Sequence, residues 1–407
     1  MATPATQLTA LNVLRRLRDA GYQAMFAGGC VRDMLLNRPW FDYDIATDAS
    51  PYQVKQLFRH VLLVGAKFGV AMVIEQGKKV EVTTFRSDLS YTDGRRPDGV
   101  TFATPREDAL RRDFTINGMF YDPLREQVID YVGGQEDLRA GVIRTIGSPQ
   151  QRFDEDYLRM LRAVRFAVRL EFQIDPATAA AIVDHAPKII SISGERIFDE
   201  LSKMLSLPSA PQAMELLHQL NLLQQILPEL MWRDDSWMPA LARVRAVARK
   251  QDFVLTLGAL MAKIPAASIP LVLRRWGASN SLCDATTWIS QHFGDWPTAA
   301  DLPLAEFKRL MAKRHFSQLR HLWAVEERRK TGWLDQTRRI AVRVKSIPRG
   351  KVSPKPLLSG KDLLAMGLPE GERLGGIFKA VYDAQLNEEI STAQQAVELA
   401  NRLIGSA

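Results

Sequence analysis

The chain has almost no cysteine. Cys30 and Cys283 are the only two among 407 residues, which excludes a disulfide framework and a thiolate zinc site. No apolar run approaches the ~20 residues that a membrane-spanning helix needs. Met1 to Ala10 are small and polar, without the apolar core of a secretory signal. These absences predict a cytoplasmic protein with no membrane contact. Internal repeats and low-complexity tracts are missing too, which excludes solenoids and disordered tails as the main architecture.

What remains is an ordinary globular composition, 46% hydrophobic and 25% charged, long enough for two to four packed units. Fifty-four Lys and Arg stand against 46 Asp and Glu, a net charge of +8. That surplus fits a polyanionic partner such as nucleic acid, and equally a moderately basic soluble protein.

Up to about residue 148 helix and strand alternate. Leu8–Ala20 is an amphipathic helix with Leu11, Leu14 and Leu17 at spacing three. Ala24–Ala27 is a short strand, Val31–Leu36 a helix, and Phe41–Ile45 a strand. Pro51–Phe58 reads as a helix. Val61–Val64, Val70–Glu75 and Lys79–Arg86 are strand-like, with a hairpin turn at Glu75–Lys78. Beyond residue 150 helical periodicity takes over, over Glu155–Leu170, Pro176–His185, Ser193–Leu205 and Pro211–Leu222. A basic Pro/Gly connector at Ser346–Lys351 marks a further boundary. The expected division is 1–148, 149–205, 206–345 and 346–407, an α+β unit followed by helical ones.

Three clusters carry chemistry. Gly28-Gly29-Cys30-Val31-Arg32-Asp33 lets backbone approach phosphates where a Cβ would intrude. Asp42 and Asp44, at i and i+2 on a strand, point to one face and can hold hard cations such as Mg²⁺. Glu81, on the strand Glu81–Arg86, is the best-placed third carboxylate for a two-metal site. Together these predict nucleotidyl transfer. In the second cluster, Arg111, Arg112, Asp113 and Asn117 combine guanidinium forks for phosphate with acceptors for ribose hydroxyls.

The third cluster is Asp154–Phe166. Read as one helix from Glu155, it buries Leu158, Leu161, Val164 and Val168. Asp156, Arg159, Arg162 and Arg165 then recur every three residues, each about 60° from the last. A carboxylate only accepts hydrogen bonds and a guanidinium only donates them. Cytosine and adenine each present an amine donor beside a ring-nitrogen acceptor. Asp156 and Arg159 can therefore read both, while uracil and guanine would leave groups unpaired. The pair predicts selection of CTP and ATP over UTP and GTP.

In this order the motifs GGxVRD, DxD, RRDFTIN, DxxGGxxDL (Asp130–Leu138) and EDxxRxxRxxRF resemble class II tRNA nucleotidyltransferases, the CCA-adding enzymes, and their relatives the bacterial poly(A) polymerases. The resemblance runs from about Ala27 to Leu205, with an echo at Leu358–Leu403. It implies a polymerase-β-like nucleotidyltransferase head, a mixed sheet with helices, followed by all-helical neck, body and tail. Gly28, Gly29 and Arg32 would hold the triphosphate, and Asp42 and Asp44 Mg²⁺. Arg111, Arg112 and Asp113 would contact phosphate and ribose, and Asp130–Leu138 would lie at a hinge. Asp156, Arg159, Arg162 and Arg165 would form the base template, braced by Glu195-Arg196.

The implied activity is addition of C, C and A to the 3′ end of tRNA without a nucleic-acid template. Its substrates are CTP and ATP, and its partner surface meets the tRNA acceptor stem and elbow. The segment Thr83–Pro97 resembles the flexible loop tied to adding the terminal A. An A-adding-only transferase, a poly(A) polymerase and a non-catalytic RNA-binding module are the alternatives. The six histidines form no His-Asp dipeptide, so a phosphohydrolase activity is not expected. Basic pairs from Arg243 to Arg339, including Lys308-Arg309 and Lys313-Arg314, are expected on RNA backbone. The tryptophans after residue 230 are expected mostly in the core.

Overall fold

The computed structural model describes residues 4–39, 43–63, 66–88, 100–231 and 237–405. Asp42 and residues 89–99, most of the expected flexible loop, lie outside them. The chain divides into two compact units, Met1–Met231 with Arg275–Gly277, and Trp232–Arg274 with Ala278–Ala407.

The first unit opens with helix α1 (Pro4–Asp19), then β1 (Ala24–Ala27), α2 (Gly29–Leu35), β2 (Asp44–Thr47), α3 (Pro51–Leu57), β3 (Val61–Leu62), β4 (Val70–Glu75) and β5 (Lys78–Thr84). A separate hairpin follows, β6 (Arg86–Asp88) with β7 (Val100–Phe102), and then α4 (Pro105–Leu110), β8 (Met119–Asp122) and β9 (Gln127–Asp130). The expected strand Lys79–Arg86 thus ends at Thr84, where Phe85 turns into the core and its amide is taken by Thr47 O.

Seven strands form one sheet in the order β3-β4-β5-β2-β1-β8-β9. β2 and β5 run parallel with Asp44 beside Glu81, and every other neighbouring pair is antiparallel. Side chains alternate across a strand, so Asp44, Glu81 and Thr83 share one face. Ile45, Val80 and Val82 take the other and are buried, as are Val13, Leu14 and Leu17 of α1. Gln76 and Gly77 both have positive φ, 50° and 72°, the backbone of a tight hairpin turn between β4 and β5.

Helix α5 (Gly134–Ala140) is set by the segment Asp130–Leu138. The Asp130 carboxylate accepts from the amides of Val132, Gly134 and Gln135 at 3.0, 3.1 and 2.8 Å. A Cβ on Gly134 would come within 2.3 Å of Thr115 O, so only glycine lets α5 pack there. Asp137 accepts from Thr115 Oγ1 at 2.7 Å.

Four helices complete the part that concerns the site: α6 (Pro149–Glu155), α7 (Leu158–Leu170), α8 (Pro176–His185) and α9 (Gly194–Leu205). The single helix expected over Glu155–Leu170 is two. Asp156 is extended (φ −156°, ψ 105°) and its carboxylate accepts from Leu158 N at 3.0 Å, starting α7 anew. Leu158, Leu161, Val164 and Val168 are buried as a stripe on α7.

The second unit is helical throughout its described residues. Leu358, Leu363, Leu368, Ile377, Val381, Ala396 and Ala400 form a core of its C-terminal part. Two residues expected on RNA are instead interior. Arg243 is 1% exposed, donates to Ala259 O and stands 3.7 Å from Glu326. Lys308 is also 1% exposed and bonds Leu386 O and Glu388. Trp276 and Trp323 are buried as expected, but Trp333 is 69% exposed.

Candidate active site

One cleft of the first unit, about 810 Å³, gathers nearly all the candidate residues. Its lining includes Gly28, Gly29, Arg32, Asp44, Glu81, Arg111, Arg112, Asp113, Asn117, Asp156, Arg159, Arg162 and Arg165. The sheet supplies the carboxylates. Register puts Asp44 and Glu81 side by side on parallel strands. Two adjacent hard-oxygen donors suit a divalent cation such as Mg²⁺. No cluster of three His, Cys, Asp or Glu able to hold a metal occurs among the described residues. Gly28 has φ 72°, and a Cβ there would meet Arg112 Nη1 at 3.0 Å, so backbone and guanidinium approach as only glycine allows. Cys30 plays no nucleophilic part. Burial first, then Asp44, push its thiol up to about 12, which keeps it protonated.

Most of these arginines are aimed by a buried carboxylate. Asp108, fully buried, accepts from Arg111 at 2.9 and 2.6 Å on one oxygen and from Arg112 at 3.1 and 2.9 Å on the other. One carboxylate thus orients two adjacent guanidinium groups. Arg32, 2% exposed, donates to Asp33 at 2.8 Å and to Asn117 Oδ1 at 2.7 Å. Asn117 in turn donates to Asp113 at 3.0 Å.

Asp113 ties the Arg111–Asn117 segment to α7. Its Oδ2 receives Nε and Nη2 of Arg162 at 2.8 and 2.7 Å. Burial alone would raise this carboxyl, but Arg162 and the Asn117 amide outweigh it and hold it at about 2. Arg165 donates to Glu200 at 2.5 Å, and Glu200 is 2% exposed. The guanidinium groups of Arg32, Arg162 and Arg165 lie 5.1, 5.2 and 4.3 Å from the Phe166 ring, within cation–π range.

Asp156 and Arg159, expected from the sequence to read the base, are also braced. Asp156 receives Arg196 Nη2 at 2.7 Å, so α9 anchors the residue that breaks α6 from α7. Arg159 pairs with Glu155 and donates to Arg152 O at 2.9 Å. The two side chains lie on opposite sides of a helix break, not in register on one helix.

The sequence did not single out Val70 and Arg169, which also line the cleft, and named Thr83, Arg86 and Phe166 only within longer motifs. Nor did it single out Asp108 and Glu200, which hold its arginines. Asp108 carried a readable signal, because it lies three and four residues before Arg111 and Arg112 on a helix end. Glu200, 35 residues from Arg165, carried none.

A mixed sheet that presents paired carboxylates beside glycines and an arginine-lined wall defines a nucleotidyltransferase. Residues 24–144 match the poly A polymerase head domain, and residues 171–232 match a probable RNA- and SrmB-binding site of polymerase A. The CCA-adding enzyme of Lactobacillus gasseri is 34% identical over 97% of this chain and 96% of its own length. That of Geobacillus stearothermophilus is 36% identical over 95% of each. The crystal structure of the Bacillus stearothermophilus CCA-adding enzyme in complex with CTP superposes with a TM-score of 0.73 and 31% identity, covering 98% of both chains. This chain belongs to the CCA-adding enzyme family.

Proposed function

We propose that the protein adds C, C and A to the 3′ end of tRNA from CTP and ATP, with no nucleic-acid template. The observation that carries this reading is one cleft uniting Asp44 and Glu81 with Asp156 and Arg159. It joins a cation-binding edge to a base-reading edge.

Asp44 and Glu81, with Asp42 of the same motif, would hold Mg²⁺. Bound there, the ion supplies Lewis-acid activation of the primer 3′-hydroxyl and neutralises charge on the triphosphate. Arg32, Arg111 and Arg112 bind phosphate oxygens of the nucleotide, aimed by Asp33 and Asp108. The primer oxygen attacks the α-phosphorus in line and the β–γ pyrophosphate leaves. Asp113 and Asn117 face the ribose and keep Arg162 in place. Asp156 accepts from the exocyclic amine of cytosine or adenine, having two lone-pair sites beyond those taken by Leu158 N and Arg196. Arg159 donates to the ring nitrogen, and Arg162 and Arg165 flank the base.

The division into head (1–148), neck (149–205), body (206–345) and tail (346–407) remains part of this proposal, with the body and tail carrying the tRNA. Cytoplasmic placement goes with it. Among the described residues, no helix is long and apolar enough to cross a membrane.

The deciding experiment supplies two tRNA transcripts, one ending before CCA and one ending in CC, with Mg²⁺ and each nucleotide, alone and combined. Two C additions with CTP and a third addition requiring ATP are expected. Long ATP-only tails would mark a poly(A) polymerase. Addition of A only to transcripts already ending in CC would mark an A-adding enzyme. No incorporation would leave an RNA-binding module.

A further inference from the structure

The second unit contains a cavity of about 690 Å³ that the chemistry above does not use. Trp288, Ala285 and Pro270 give it apolar lining, and Lys313 and Arg314 give it two exposed cations. Ser281, Thr287 and Gln291 add hydrogen-bonding groups, and Asp284 is the one acid. Trp288 is half-buried, with the His292 ring 5.0 Å from its own. His315 also lines the cavity, and burial followed by Arg314 lowers its pKa. It is therefore neutral near pH 7, and the positive charge comes from Lys313 and Arg314. Two polar atoms, Thr287 Oγ1 and His315 Nδ1, are buried without a protein partner. A core polar atom normally finds one, so these are candidates for an outside group.

An indole, two adjacent cations and amide and hydroxyl groups around one cavity match the parts of a nucleotide. A base stacks on an aromatic ring at any sequence, and a phosphate meets the cations. We propose that this cavity takes an unpaired nucleotide of the substrate RNA, its base on Trp288 and its phosphate on Lys313 and Arg314. The assignment rests on the tRNA reading above, and adds to it a second RNA-binding site in the helical unit.

The test uses the full chain, wild type and three variants: Lys313→Ala with Arg314→Ala, Trp288→Leu, and Trp288→Phe. A tRNA transcript ending before CCA and free CTP are the probes, with binding followed across a salt series. The double variant should weaken tRNA binding about tenfold and flatten the salt slope by about 1 to 2. Trp288→Leu should weaken it about fivefold, and Trp288→Phe should bind close to wild type, because a ring and not merely bulk is needed. KM for CTP should not move, because none of these residues lines the cleft of the first unit.

Unchanged tRNA affinity and slope in the double variant would overturn the proposal. So would loss of CTP affinity with tRNA binding intact, which would mark a free-nucleotide site. Nucleotide addition to a short acceptor-stem hairpin by wild type checks the enzymatic reading separately, and its failure would leave the binding comparison standing.

Discussion

The link between Asp113 and Arg162 gives a stability change whose size and pH range can both be stated. Replacing Asp113 by Asn keeps the shape but removes the charge that Arg162 grips through two nitrogens. The carboxyl is held at about 2 against an ordinary 3.8, and its side chain is only 11% exposed. At ~1.4 kcal/mol per unit, that difference is worth about 2 kcal/mol at neutral pH. An exposed ion pair would contribute ~0–1 kcal/mol, so the number distinguishes a buried tie from a surface one.

The sign follows from the direction. A depressed folded-state pKa stabilises fully above the unfolded value of 3.8 and loses that stabilisation as pH falls toward 2. The Asn variant has no such titration. The stability gap between wild type and Asp113→Asn should therefore be about 2 kcal/mol at pH 7, roughly half that at pH 3, and still smaller below it. Urea unfolding of both proteins from pH 7 to pH 2.5 measures it. A gap that stays constant across that range would refute the buried-pair account.

Three further outcomes are expected. Asp44→Ala should abolish nucleotide incorporation while leaving tRNA affinity, followed by gel shift, close to wild type. Asp156→Ala removes the acceptor for an exocyclic amine, and the ratio of kcat/KM for CTP over UTP should fall on the order of 10- to 100-fold; an unchanged ratio would remove Asp156 from base selection. Gly134→Ala drives a Cβ to 2.3 Å from Thr115 O, and thermal unfolding should show a loss of about 1–3 kcal/mol.

Local chemistry was legible in the sequence wherever one short stretch carried it. The glycines and the β4–β5 hairpin both follow from residues within a few positions of each other. The break before α7 was not legible. Nothing in Asp154–Phe166 is Gly or Pro, and the periodicity runs straight through. The break comes from the Asp156 carboxylate capping Leu158 N and meeting Arg196, forty residues on.

Partners far along the chain were equally hidden. Glu200 reads as an ordinary helix acid, yet it is buried against Arg165. The basic residues misled in the opposite direction. Arg243 and Lys308 look like surface charge in a Lys/Arg-rich half, but each reaches an interior acceptor. Composition counts charges without saying which are spent inside the fold.

The pairing of Asp44 with Glu81 has a consequence for how this chain can tolerate inserted and deleted residues. The two carboxylates belong to parallel strands and stand side by side only in one register, Asp44 with Glu81 and Ile45 with Val82. A gain or loss of one residue within β5 would set Val82 or Val80 opposite Asp44 and turn Glu81 into the hydrophobic layer under the sheet. Length variation in this head should therefore collect in connecting segments, and a library of single-residue deletions across 60–86 should lose activity abruptly wherever it enters the paired strands, Val70–Glu75 and Lys78–Thr84.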